Sequence, residues 1–434
     1  MINPQVKAEI TREVDHLKDE LVNLTMEMIN IPSVNPMLDS VVKDDVIGGE
    51  TEVNKFLQPV MESMGLKTDL WEEEEGRANL VGICKGTGSG HSLIFNGHVD
   101  TVAPGPLELW TVTKPFSSIL SNNRIYGRGS TDMKGGIASA IIALKALLNA
   151  GYKPKGDVII ETVSGEETMN TDIGTGAVIK RGYRADAGIV MEPSSAPYRL
   201  AIISTSPGAL ILTISIQGKT AHTLLRNELI RAGGMGADVA VSAVDKAMIV
   251  YQGLLKLEEE WGQTKTHPAY DRPGSFTICP TTFAGGLDGI AFIPEKCYIK
   301  YVIWHSPYET GEQVKDEIAE QIHRFSQTDP WLRDSPPSLE WNNFWWPPYD
   351  LPKNAPICRA ATLAYQSLFN QSVEPTGFLG VDDASFLNAA GIPTITLGPG
   401  TTKNAHTTNE YVEVQDLIDA AILYSLTIVE WCGI

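Results

Sequence analysis

The sequence predicts an α/β protein: an α/β/α sandwich with a largely parallel sheet, interrupted by a smaller inserted ferredoxin-like domain. Three observations lead there. At 434 residues the chain exceeds one ordinary compact core, so two domains are expected. Short apolar runs alternate with helical periodicity through the first half, which favours a parallel sheet covered by helices. From residue 204 the order becomes strand, helix, strand, strand, helix, strand, the β-α-β-β-α-β split unit. The expected division is residues 1–203 and 345–434 for a discontinuous larger domain, and 204–344 for the insert.

The elements follow in order. Val14, Leu17, Leu21, Leu24 and Met28 recur at three- and four-residue steps and predict an opening helix that ends at Ile31-Pro32. Gly49 to Met64 reads as a second helix. Strands are expected over Leu80–Ile83, Ser92–Phe95, Asp157–Val163 and Ala187–Met191, with a helix over Gly136–Asn149. The insert reads as strand Leu210–Gln217, helix Gly234–Trp261, strands Ser275–Thr282 and Lys296–Trp304, helix Glu312–Ser326 and strand Ser338–Trp341. Asn342–Pro352, rich in Trp, Pro and Asn, reads as a linker. Helix Ala355–Phe369, strand Thr394–Leu397 and helix Val414–Trp431 close the chain.

Composition narrows the function. Hydrophobic residues make up 43% and charged residues 20%, which fits a buried core rather than a disordered or repetitive chain. The formal charge of −19 argues against nucleic acid and anionic membrane surfaces as partners, because both need clustered Lys and Arg. The five cysteines are scattered and form no CxxC pair, so neither a disulfide framework nor a zinc knuckle is expected. Reduced thiols, no apolar leader and no membrane-length apolar run predict a soluble, cytoplasmic protein.

The chemistry-bearing residues gather at strand ends and glycine turns. The run Leu93–Phe95 leads through Asn96-Gly97 into His98-Val99-Asp100, which sets His98 at the carboxyl end of a strand, the functional side of an α/β sheet. Asp100 is placed to orient that imidazole. Alone, a strand-end His is more often structural. Gly127–Gly136 holds Asp132 just before a helix, where an N-cap is the simpler role. That glycine-rich run has no Walker or GxGxxG pattern, so phosphate binding is disfavoured. Val158–Val163 ends at Ser164-Gly165-Glu166-Glu167, a costly place for two unpaired carboxylates. Such neighbours can divide into a metal ligand and a free base. Glu192 follows the next strand, and His406 follows Gly398-Pro399-Gly400. Two His and three carboxylates suit zinc, manganese or cobalt, and a bridging carboxylate suits a pair of such ions.

With these motifs in order, the sequence resembles the aminoacylase / acetylornithine deacetylase / succinyl-diaminopimelate desuccinylase / carboxypeptidase G family of dinuclear zinc hydrolases. The likeness runs through Gly76–Leu80, Gly97–Asp100, Gly127–Gly136, Ser164–Glu167, Glu192-Pro193 and Ala405–Val412. The run Asp329–Arg333 with the following Pro336–Trp341 resembles the acetylornithine deacetylase branch. The resemblance implies a zinc-exopeptidase-like catalytic domain and a lid that forms a homodimer or higher homo-oligomer. It implies that His98 and Glu192 bind one divalent ion, Glu167 and His406 the other, and that Asp132 bridges them. Asp100 would hold His98, and Glu166 would be the general base acting on metal-activated water. In the lid, Gly218–His222 matches the motif whose histidine serves the partner's site; from the residues alone, His222 could equally be a structural strand-edge residue.

Three positions depart from the family pattern. Where members carry an Asn and an Arg that hold a substrate carboxylate, this chain has Ala291 and Trp304, and a further Arg position is Ser385. An indole supplies no bidentate fork for a carboxylate, but it can stack on an aromatic group. The expected function is metal-dependent hydrolysis of a C–N bond in a small molecule, by a deacylase or exopeptidase-like enzyme, on an aromatic or hydrophobic substrate. Ala291, Trp304, Asn227 and Gly400 are its candidate substrate contacts. The competing readings are an aminohydrolase that releases ammonia from an aromatic amine, and a non-enzymatic metal-binding homologue. The second would be favoured by loss of Glu166 or a ligand, and none is lost.

Overall fold

The computed structural model describes residues 2–270, 272–286 and 291–434, without the side chains of Asn343 and Phe344. The chain divides into two compact units. One comprises Met1–Thr205, Tyr349–Phe378 and Asp382–Ile434; the other comprises Ser206–Pro348 and Leu379–Val381.

A nine-stranded sheet organises the first unit. Its path runs Lys67–Glu72, Ala78–Cys84, Val158–Val163, Leu93–His98, Ala187–Val190, Thr394–Thr396, Ile203–Ser206 and Tyr349–Asp350, and Thr376–Gly377 pairs with Ile203–Ser206 off this path. The four central strands, from Val158–Val163 to Thr394–Thr396, are parallel. Those over Val158–Val163 and Leu93–His98 are buried at every residue, as expected for parallel strands covered on both faces. The pleat shows the two layers. Phe95 meets Tyr424 of helix Val414–Cys432, while its neighbour Asn96 bonds Thr175 at the start of helix Thr175–Lys180. Successive strand residues point to opposite faces, so these helices cover opposite sides. The antiparallel strands Lys67–Glu72 and Ala78–Cys84 make the sheet mixed towards that edge.

The second unit has an antiparallel sheet in the order Thr277–Gly285, Lys296–His305, Gly208–Gln217, Ser338–Trp346. Numbered along the chain this is 2-3-1-4, the ferredoxin-like order. Helices Ala243–Thr264 and Gly311–Ser326 pack on one face, against Leu210, Leu212, Ile214, Ile299, Tyr301 and Ile303.

Three sequence expectations change. The opening helix is two helices, Pro4–His16 and Lys18–Asn30, jointed at Leu17. The long helix of the insert starts at Ala243 rather than Gly234, because Ser242 caps it by accepting the Asp245 N–H at 3.2 Å. The linker expected from Asn342 is strand as far as Trp346, with a register shift between Trp341 and Trp345. Its aromatic residues favour the pleated surface, and Pro347-Pro348 end it. Among the described residues, no helix is long and apolar enough to cross a membrane.

Candidate metal centre

Three adjacent parallel strands deliver four of the six residues of the site at their carboxyl ends. Leu93–His98 ends in His98, Val158–Val163 leads into the turn bearing Glu166 and Glu167, and Ala187–Val190 leads to Glu192. Asp132 comes from the turn before helix Gly135–Asn149, and His406 from the loop after strand Thr394–Thr396. Asp132 does not cap that helix, as the simpler sequence reading held. The helix begins at Gly135 with Lys134 in the N-cap position, and no side chain caps it.

The Asp132 carboxylate points two ways. Oδ1 lies 3.1 Å from His98 Nε2, and Oδ2 lies 3.2 Å from His406 Nε2. On the first side Glu192 Oε1 is 3.1 Å and Glu166 Oε2 is 3.9 Å from His98 Nε2. On the second, Glu167 Oε2 is 3.0 Å from His406 Nε2. Donor atoms of His98, Asp132 and Glu167 lie within 4.8 Å of one another, as do those of His98, Glu166 and Glu192.

This cluster suits divalent cations by its charge as well as its donors. Four carboxylates meet two imidazoles, with no Lys or Arg in the ion pairs that join them. Burial pushes Glu192 up to about 8, aided by the Asp132 charge. Burial also drives Glu166 well above the usual carboxylate range, against the pull of His98. Glu167 rises for the same reason, with Asp132 adding to it. For Asp132 burial acts upward, but hydrogen bonds from His406 and His98 overcome it and hold the group well below that range. His406 is pushed up to about 11 by its hydrogen bonds to Asp132 and Glu167. Buried carboxylates in such excess lack positive charge, and oxygen and imidazole donors are the set that zinc, manganese and cobalt accept.

Residues behind the cluster fix its backbone. Asp100 Oδ1 accepts the Gly165 and Glu166 N–H groups at 3.0 and 3.3 Å, and Oδ2 accepts Glu167 N–H at 3.0 Å and Asn35 Nδ2 at 2.7 Å. His98 Nδ1 sits closer to the main-chain carbonyl of Asp100, at 2.9 Å, than to its carboxylate, at 3.6 Å. The buried Arg77–Glu50 pair supports the same turn: Arg77 Nε and Nη2 donate to Glu50 at 2.5 and 2.8 Å, and Glu50 accepts Gly165 N–H at 3.0 Å. Across the site, Glu410 Oε1 accepts the Thr131 and Asp132 N–H groups at 3.0 and 3.3 Å, and Oε2 pairs with Arg128 at 2.6 Å. Gly400 is buried at φ +86°, where a Cβ would fall 1.9 Å from Thr131 Oγ1. It therefore serves the close approach of two loops beside Asp132. His406 itself holds a left-handed φ of 60°, uncommon for a residue other than glycine.

Beneath the cluster lies a second polar chain. Asn96 Nδ2 donates to Glu161 at 3.0 Å and lies 3.0 Å from Thr175 Oγ1, which donates to Asp383 at 2.6 Å. Burial pushes Glu161 up to about 8 and Asp383 up to about 7.

The remaining sequence candidates belong to the second unit. His222 is exposed, and its Nδ1 accepts the Leu224 N–H at 3.1 Å. In the neutral ring that bond places the proton on Nε2, leaving an outward donor. Asn227 is exposed on the short helix Arg226–Ile230, Ala291 accepts Thr223 N–H at 3.1 Å, and Trp304 is half-buried in strand Lys296–His305. In the first unit, Ser385 is buried and its hydroxyl has no partner among the described residues. Sequence reasoning assigned no role to Glu50, Arg77, Arg128, Glu410 or Asn35. Arg77, Arg128 and Glu410 lie within the quoted motifs, which was their available signal, whereas Glu50 opens the helix Gly49–Ser63 outside them.

The model of peptidase family M20/M25/M40 matches residues 94–430. The chain belongs to that family. Over its full length it is 31% identical to N-formyl-4-amino-5-aminomethyl-2-methylpyrimidine deformylase of Halalkalibacterium halodurans, covering 99% of that protein. Among solved structures, aminopeptidase PepT of Bacillus cereus matches at TM-score 0.72 and 20% identity, over 95% of this chain and 98% of that one. The Bacillus subtilis YXEP protein, a dinuclear metal binding peptidase from the M20 family, matches at TM-score 0.65 and 14% identity, over 97% and 100%. This M20 protein is accordingly a metal-dependent hydrolase of amide-type C–N bonds, acting on a small molecule.

Proposed function

We propose that this M20 hydrolase removes a formyl group, or another small acyl group, from an aromatic or heteroaromatic methylamine without a free α-carboxylate. The observation that carries the catalytic part is the divided Asp132 carboxylate, one oxygen towards His98 and the other towards His406. Support for the substrate comes from the full-length likeness to a pyrimidine deformylase. Ala291 and Trp304, standing where a carboxylate fork is expected, point the same way.

In this reading His98 and Glu192 would hold one ion and Glu167 and His406 the other, with Asp132 shared between them. Zinc is the default for these ligands, with manganese or cobalt acceptable to the same donors. When bound, the ions supply Lewis acidity and lower the pKa of water. Glu166 takes the proton from the attacking water and passes it to the leaving nitrogen, so the C–O bond forms as the C–N bond breaks and the products are a carboxylate and an amine. His222, with its proton on Nε2, donates to the developing oxyanion in a neighbouring copy. The copies would assemble through the second unit, whose edge strand Thr277–Gly285 and exposed Met248 and Phe283 offer pairing and apolar area.

Hydrolysis rates over N-formyl arylmethylamines, N-acyl amino acids and dipeptides, with metal analysis of the same sample, test this. Formamides of arylmethylamines should lead the panel. Higher efficiency on N-acetylornithine or N-acyl glutamate, lost when the carboxylate becomes an amide, would overturn the substrate assignment.

A further inference from the structure

The backbone around His222 fixes what stands beside it. His222 and Phe292 form an antiparallel bridge. Its hydrogen bonds run from Thr223 N–H to Ala291 O at 3.1 Å and from Ile293 N–H to Ala221 O at 2.8 Å. Those bonds flank the pair rather than join it. This is the non-hydrogen-bonded arrangement, in which opposed Cα atoms approach to about 4.5 Å and the side chains leave the same face. Phe292 is therefore the imidazole's immediate neighbour. It is also 53% exposed, with Leu224 at 79% next to the bridge. An aromatic ring left in the open beside a proton donor is a contact surface rather than core.

The chemistry of a formamide says which part of the substrate that ring meets. His222 Nε2–H addresses the carbonyl oxygen. On the acyl side a formyl carbon carries only hydrogen, so nothing there can use an aromatic neighbour. On the amine side a short methylene link leads to the ring. We propose that Phe292 is a specificity residue whose ring stacks on the planar ring of the released amine, selecting N-acyl arylmethylamines over amides of saturated amines. This rests on the function proposed above, in which His222 reaches the scissile carbonyl. Offset stacking of two aromatic rings adds to the area they bury, and at this site it takes the place of a carboxylate contact.

The test uses the metal-loaded full chain, the variants Phe292→Ala and Phe292→Tyr, and two formamides of the same skeleton, one with a pyrimidine or phenyl ring and one with cyclohexyl. Phe292→Ala should lose about tenfold or more in kcat/KM on the aryl substrate, mostly in KM, and less than about threefold on the cyclohexyl one. Phe292→Tyr should keep the parent's preference. Calorimetric Kd for the free arylmethylamine should weaken about tenfold in Phe292→Ala. Equal losses on both substrates, or none on either, would overturn the role of Phe292 while leaving the proposed function standing. A parent that cleaves neither these formamides nor the matching acetamides overturns both.

Discussion

Replacing Arg77 with Met tests how the turn that carries Glu166 and Glu167 is held. Arg77 is fully buried and Glu50 is 2% exposed, and their bidentate pair backs the Gly165 N–H. Breaking a buried pair from one side costs about 3–5 kcal/mol when the remaining charge has nowhere to go. Here the remaining group can take a proton. Burial already pushes Glu50 up to about 7 against the pull of Arg77, and losing the guanidinium moves it further in the same direction. At pH 6 both proteins hold Glu50 protonated, so the variant loses mainly hydrogen bonds and packing. Above pH 7 the parent ionises within its pair while the variant must stay neutral, as the unfolded chain gives its proton up. The cost should then grow by up to about 1.4 kcal/mol for each further pH unit. Urea unfolding of metal-free parent and variant at pH 6 and pH 8.5 reads this difference. A cost below about 1 kcal/mol at both pH values, or one that does not rise with pH, would refute the reasoning.

Three further outcomes are expected. Glu166→Gln should lower turnover by about a thousandfold while metal content stays near the parent's; activity within a few-fold of the parent excludes Glu166 as the base. Glu410→Ala removes the acceptor for the Thr131 and Asp132 N–H groups, so metal affinity should fall about 10–100-fold in chelator competition. An unchanged affinity would mean that Asp132 is positioned without it. Glu161, with its proton affinity raised to about 8, keeps a proton that the unfolded chain releases above its ordinary value, so the parent loses stability as pH rises through that window. Glu161→Gln removes this loss, and its advantage over the parent should widen from pH 5 to pH 8 in urea titrations; a constant difference would contradict it.

Much of the fold, and the convergence of the candidate site residues, was legible because periodicity and strand ends carry them. His98, Glu167 and Glu192 each follow an apolar run, and parallel pairing of those runs brings their ends together. The supporting shell was less legible because its partners are distant in sequence. Glu410 meets Asp132 only through a loop that returns from the far end of the chain, and Glu50 meets Gly165 across 115 residues. Asp132 shows the limit of local rules. Its position before a helix fits a cap, and only in the folded chain do His98, at a strand end, and His406, on a loop, meet its two oxygens. The same holds for Asn342–Trp346, where polar and proline neighbours imitate a linker while cross-strand pairing of Trp345 with Leu210 and Trp346 with Ala209 makes them strand.

The most direct test of the whole account is kcat/KM for a matched pair of formamides, one of an arylmethylamine and one of the same amine bearing an α-carboxylate. It should be measured on metal-free protein and again after reloading with zinc, manganese or cobalt. The account predicts no turnover without metal, recovery on reloading, and a clear preference for the compound lacking the carboxylate. Turnover that survives metal removal, or a preference for the carboxylate, would contradict it.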